Sequence, residues 1–117
     1  MRYVLVYSNR PDLVATVPPE LIGQAYGAIA AWFEEHDAAF VGCGAQLEDA
    51  STAKTVRNTS DGEPDVTHGP YSAAQEQMIG FSVIDVPDQD AAVALAKTFP
   101  LVQLPGGAVE VRPLAED

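Results

Sequence analysis

Residues 3–7, Tyr-Val-Leu-Val-Tyr, form an unbroken aromatic and β-branched run. A strand there places Tyr3, Leu5 and Tyr7 on one face and Val4 and Val6 on the other, because successive side chains point to opposite sides. Both faces are apolar, whereas a small sheet with one solvated face alternates with polar residues. Ser8-Asn9-Arg10-Pro11-Asp12 ends the run. Pro18 and Pro19 then suit a helix start, and Leu21, Ala25, Ile29 and Trp32 recur at the spacing of one helical face, with Ile22, Tyr26 and Phe33 beside them. The spacing predicts a helix over about 19 to 37; Gly23 and Gly27 on it carry no functional weight.

Phe40 to Leu47 reads as a second strand, in which Gly42 and Gly44 permit a bulge or the close approach of another backbone or a ligand. Thr52 to Arg57 and Asp65 to His68 flank the turn residues Ser60-Asp61-Gly62-Glu63 and form a hairpin. Gly69-Pro70 breaks the extended run. Ser72 with Gln75 has the form of a capping box and predicts one helical turn over Ala73 to Gln77. Met78 to Val86 is the longest apolar strand. Asp88 is placed to cap a second helix with the face Ala92, Leu95, Ala96 and Phe99, ended by Pro100, and Gly106-Gly107 leads to a last strand, Ala108 to Arg112.

The order β, α, β, β, extended piece, β, α, β is two split βαβ halves, so the expected fold class is α+β: a ferredoxin-like antiparallel sheet with both helices on one face. The opposite face keeps apolar side chains from the strands at 3–7 and 79–86. A second copy covers it most economically, and the expected assembly is a homodimer whose two sheets close face to face into a barrel.

Composition narrows the partners. The 117 residues, 47% apolar, suffice for one core and point to one domain over 1–117. Six Lys and Arg against seventeen Asp and Glu give a net charge of −11, and Arg2, Arg10, Lys54, Arg57, Lys97 and Arg112 form no run, which disfavours nucleic acid and anionic membranes. The lone Cys43 allows no internal disulfide and fits a reducing, cytoplasmic setting; between Gly42 and Gly44 it reads as a small buried side chain. No export signal or membrane span is expected.

Four blocks carry a resemblance: Leu47-Glu48-Asp49-Ala50-Ser51-Thr52-Ala53-Lys54-Thr55-Val56-Arg57, Val66-Thr67-His68-Gly69-Pro70-Tyr71, Glu76-Gln77-Met78-Ile79-Gly80-Phe81 and Val109-Glu110-Val111-Arg112-Pro113. In order and spacing, from Met1 to Pro113, the chain resembles the YCII-related family in its DGPF-domain branch. The resemblance implies a dimeric α+β barrel with a cleft beside the sheet, where the signature turn lies. It also implies kinship with a superfamily that includes monooxygenases, isomerases and eliminating enzymes, and an association with alternative sigma factors. His68-Gly69-Pro70-Tyr71 stands where the branch calls for Asp-Gly-Pro-Phe, and Gln75 stands where a lysine is expected before Glu76.

His68 is the sharpest candidate for chemistry, because imidazole accepts and donates protons near neutrality and Gly69-Pro70 hold it at a strand end. Glu76 is the candidate to orient its ring. The competing reading has His68 only capping the turn. Arg57 offers a forked contact to an anionic ligand group, or an ion pair with Asp65, Glu76 or Glu110. Tyr7, Tyr71 and Phe81 complete the candidate substrate-binding set, the two phenols as hydrogen-bond donors or as core and dimer contacts. No metal site and no cofactor are expected, since the spacings that metals and nucleotides require are missing. Two functions compete: cofactor-free general acid and base chemistry on a small molecule, and a non-catalytic ligand-binding or regulatory module of transcription systems.

Overall fold

In the computed structural model, residues 1–115 are described. The run at the amino terminus becomes the long strand β1 (Arg2–Asn9), flanked on both sides by antiparallel neighbours. The remaining elements are α1 (Pro11–Val14), α2 (Pro19–Glu35), β2 (Ala45–Gln46), β3 (Lys54–Arg57), β4 (Asp65–His68), β5 (Gln77–Asp85), α3 (Gln89–Lys97) and β6 (Ala108–Pro113), with short 3₁₀ turns at Asp37–Ala39, Ala50–Thr52 and Pro100–Gln103. The main sheet has the strand order β2-β5-β1-β6 and is antiparallel throughout. That is the order of the ferredoxin-like arrangement read from the sequence.

Register explains where the core sits. Leu5 stands opposite Ser82 and Val111, and Tyr3 opposite Ile84, so these residues share one face with Tyr7. Tyr3, Leu5, Tyr7 and Ile84 are buried there beneath Ala25 and Trp32 of α2 and Ala92 and Ala96 of α3. Both helices therefore cover one face, and their small alanines let the helix backbones approach the sheet. Trp32 donates its indole N–H to Thr98 Oγ1 at 2.8 Å, so the largest core ring is buried with its polar atom satisfied. Asp88 caps α3 as expected, accepting from the Ala91 amide at 2.8 Å.

The opposite face carries Val4 against Val83 and Val6 against Phe81, each half-buried in the single chain. The hairpin of β3 and β4 forms a separate two-stranded sheet whose extensive contacts are within itself, and the cross-strand pair Val56 and Val66 is exposed. The molecule measures 50 × 43 × 19 Å with a radius of gyration of 16.2 Å. A compact chain of this length has about 13 Å, so the hairpin is an arm standing off the body.

Two local expectations are corrected. The strand over Phe40 to Leu47 shrinks to a bridge between Phe40 and Ile84 and the two residues of β2. Gly42 adopts φ +67°, a conformation that breaks a strand, and Gly44 lies so close to β5 that a Cβ would stand 2.7 Å from the Phe81 carbonyl. No helical turn forms over 73–77: among the described residues Ser72 Oγ accepts only from the Ala74 amide, and Gln77 already belongs to β5. Where Ser8-Asn9-Arg10-Pro11-Asp12 ends the apolar run, the chain also forms the one-turn helix α1, opened by Pro11 at its first position.

Candidate functional site

The shortened β2 leaves a gap that a full strand would have closed. Between α2, the loop 40–50 and the β5 edge lies a cavity of about 800 Å³, within the range of pockets that enclose small organic molecules. Its wall is aromatic: Tyr7 from β1, Tyr26 and Phe33 from α2, Phe40 from the loop and Phe99 after α3 all line it. The rings fix one another. Tyr7 stacks on Phe99 with centroids 4.5 Å apart, and Phe33 meets Tyr7 edge-on at 6.1 Å and Phe40 at 5.0 Å. Such mutual packing limits the freedom each ring would lose on binding a ligand.

Buried polar atoms in this wall are few. Tyr7 donates its hydroxyl to Ser82 Oγ at 2.9 Å, and both residues are buried. Burial pushes the Tyr7 phenol above its ordinary pKa, the Ser82 bond opposing only in part. The phenol is therefore neutral at physiological pH, and the Ser82 hydroxyl keeps its own proton to donate onward. Gln77 sits at the arm's return with its amide bonded to the carbonyls of Ser72 and Ala74. At the solvent side, the exposed Glu48 and Asp49 border the cavity. Asp49 accepts from the Ser51 hydroxyl and amide, which lowers its carboxyl pKa.

Of the six residues singled out from the sequence, Tyr7 and Phe81 border the cavity, although the position of Phe81 opposite Val6 directs its side chain to the other sheet face. Arg57, His68, Tyr71 and Glu76 are exposed on the arm and its return and do not line it. Among the described residues Arg57 enters neither a cavity contact nor an ion pair: its guanidinium donates to Thr67 Oγ1 at 3.1 Å and to the Tyr71 carbonyl at 2.9 Å, pinning the signature turn to the arm. The turn is held by backbone, with the Gly69 amide donating to the Ala53 carbonyl at 2.7 Å and Thr55 Oγ1 to the Gly69 carbonyl at 2.8 Å. Gly69 needs its φ of +112° for this. His68 makes no side-chain hydrogen bond among the described residues, so the capping role is filled without its ring. Glu76 lies near Arg10, whose guanidinium is held charged chiefly by Asp12.

Ser82, Tyr26, Glu48 and Asp49 were not singled out from the sequence. For Ser82 a signal exists, because Gly80 and Ser82 are the small residues alternating with Ile79, Phe81 and Val83 in an otherwise apolar strand. Cys43, expected to be buried, is exposed on the cavity's rim, since the loop that carries it left the sheet. Among the described residues no group of three His, Cys, Asp or Glu could hold a metal ion, and no helix is long and apolar enough to cross a membrane.

An antiparallel sheet in this order, with two helices on one face and an aromatic cleft at its edge, belongs to the dimeric α+β barrel fold. The chain superposes over its whole length on 96% of 5-chloro-2-hydroxyhydroquinone dehydrochlorinase from Burkholderia phenoliruptrix, solved in complex with 2,5-dihydroxybenzoquinone, with a TM-score of 0.61 and 15% identity. At that identity the likeness shows the fold alone. The YCII-related domain matches residues 1–116, and the chain belongs to the YCII-related family. An uncharacterised protein of Rhizobium meliloti (strain 1021) is 37% identical over 71 residues, which cover 61% of this chain and 56% of that relative, so the match spans little more than half of it.

Proposed function

We propose that the protein, as a DGPF-type member of its family, binds a small organic molecule in the cavity between α2 and β5 and works as a homodimer. The observation that carries this reading is the 800 Å³ volume walled by four mutually packed aromatic rings, Tyr7, Phe33, Phe40 and Phe99, with Tyr26 beside them and one buried hydroxyl pair, Tyr7 and Ser82, as its fixed polar contact. A ring-sized ligand fits such a wall. The dehydrochlorinase of the same fold, solved with a dihydroxybenzoquinone, supports a small ring as occupant.

The second copy answers two exposures at once. Val4, Val6, Phe81 and Val83 present an apolar sheet face, and the arm bares Val56, Val66 and Tyr71. A two-stranded hairpin alone is marginal in water, so the arm gains stability by lying against a partner. In that assembly His68, whose side chain makes no hydrogen bond among the described residues, is the proton carrier and Glu76 its orienting carboxylate, while Tyr71 supplies a polar contact beside the ligand and Arg57, bonded to Thr67 and the Tyr71 carbonyl, steadies the turn that carries them. A reducing cytoplasm suits the exposed thiol of Cys43.

A second reading, a ligand-binding accessory module without turnover, is favoured by one observation: His68, Glu76, Arg57 and Tyr71 all lie outside the cavity wall. A thermal-shift screen of small metabolites, repeated with His68→Ala, separates the two. Conversion of a hit that His68→Ala abolishes without loss of binding supports acid and base chemistry. Binding without conversion, indifferent to His68→Ala, supports the module. Absence of any stabilising ligand contradicts both.

A further inference from the structure

The charges around the cavity are one-sided. Among the described residues that line it, Glu48 and Asp49 are the ionisable carboxylates, and none is lysine, arginine or histidine. Arg10, on the segment leading to Pro11 of the wall, is already engaged by Asp12 at 2.7 Å and by Gln75, with Glu76 nearby. The chain as a whole carries −11. An anionic ligand would thus enter a low-dielectric cleft against two carboxylates with no cation among the described residues of its wall, and burying an unpaired charge is costly. A cation meets the opposite conditions. Carboxylates flank the opening, and the faces of tyrosine and phenylalanine rings attract positive charge through their quadrupoles.

We infer that the cavity selects a small organic cation, an amine protonated at neutral pH and borne on an aromatic or branched hydrocarbon body, over organic acids and phosphates. This rests on the small-molecule reading above and gives that site its ligand class. The hydrocarbon body packs among Phe33, Phe40 and Phe99, the ammonium faces Tyr26 and the carboxylates of Glu48 and Asp49, and the Tyr7–Ser82 pair serves any hydroxyl the ligand carries. The inference runs against simple transfer from the neighbouring fold, whose bound dihydroxybenzoquinone is an acidic ring.

Three probes of nearly equal shape, benzylamine, benzyl alcohol and benzoate, isolate charge from packing. Titrated at pH 7 by NMR, benzylamine is expected to bind roughly three- to tenfold more tightly than the alcohol, the size of one or two favourable charge contacts at a half-exposed site. Benzoate is expected to bind more weakly than either. The Glu48→Gln, Asp49→Asn double variant should bring the amine down to the alcohol's affinity and leave the alcohol unchanged; asparagine keeps an oxygen acceptor for the Ser51 bonds. Raising the salt should weaken the amine alone. Equal affinities for amine and alcohol, or benzoate as the tightest of the three, would overturn the cation preference while leaving the cavity reading intact. Failure of all three to shift any residue of the cavity wall overturns both.

Discussion

Tyr7 and Ser82 offer a sharp test of how the site is held. Tyr7→Phe removes the donor and leaves Ser82 Oγ buried without the partner now 2.9 Å away. An orphaned buried polar group costs about 1–3 kcal/mol. The serine proton rotates freely and finds part of that loss again at a backbone carbonyl, so about 1–2 kcal/mol is expected. Ser82→Ala strands the Tyr7 hydroxyl beside an apolar wall and costs a similar amount. The double variant removes both polar groups together, leaves nothing unsatisfied, and is expected to cost about 1 kcal/mol or less. The coupling, the sum of the single costs less that of the double variant, is therefore about 1–3 kcal/mol. Urea unfolding of the four proteins at one fixed concentration measures it, since a partner-dependent protein shifts with concentration. In thermal melts each single variant falls by about 4 °C per kcal/mol for a chain of this size. Additivity of the two single changes within about 0.5 kcal/mol would refute the reasoning, because it would mean that the two hydroxyls do not depend on each other.

Stability should fall as pH rises above about 10, the ordinary value for tyrosine: the unfolded chain loses its Tyr7 proton there while the folded chain, with a raised pKa, retains it, so the unfolded state binds fewer protons and is favoured. Tyr7→Phe should flatten that decline in urea titrations between pH 9 and 11. Gly107→Ala should destabilise by about 1–3 kcal/mol, since its Cβ would stand 1.9 Å from the Leu101 carbonyl. Gly23→Ala, with nothing within 4 Å on the exposed side of α2, should stabilise by about 0.5–1 kcal/mol; thermal melts compare the pair. Light scattering should give twice the one-chain mass at micromolar concentration, and Val6→Glu on the bare sheet face should return it to one; a wild-type monomer would contradict the dimer.

What could be read from the sequence followed the strength of local physics. The aromatic and β-branched run Tyr3 to Tyr7, the face Ala25, Ile29 and Trp32, and the Asp88 cap are each satisfied within a few residues of chain, and they appear where the pattern put them. The hairpin Asp65–His68 was likewise legible, because its turn residues are contiguous. Its separation from the sheet was not, since that depends on which strand reaches the β5 edge first. Gly42 and Gly44 signalled either a bulge or a close approach; the close approach occurs at Gly44, while Gly42 turns the chain out of the strand. Their joint consequence, a strand cut to two residues and a cavity in its place, follows only when β5 is already present. The candidate site shows the same division. Attention fell on His68 and Glu76 because their side chains can move protons, yet the cavity wall is built from residues that looked like core, Tyr7, Phe33 and Phe99, joined by a serine hidden in an apolar strand.

Whether the cavity receives a small molecule is the central question. Amide and methyl NMR of the wild-type protein titrated with benzylamine maps this directly, residue by residue. Saturable shifts confined to Tyr7, Tyr26, Phe33, Phe40, Ser82 and Phe99 of the wall and to Glu48 and Asp49 at its rim are the expected result. Shifts spread over the arm and outer sheet with the cavity wall untouched, or no saturable shift at any residue, would contradict it.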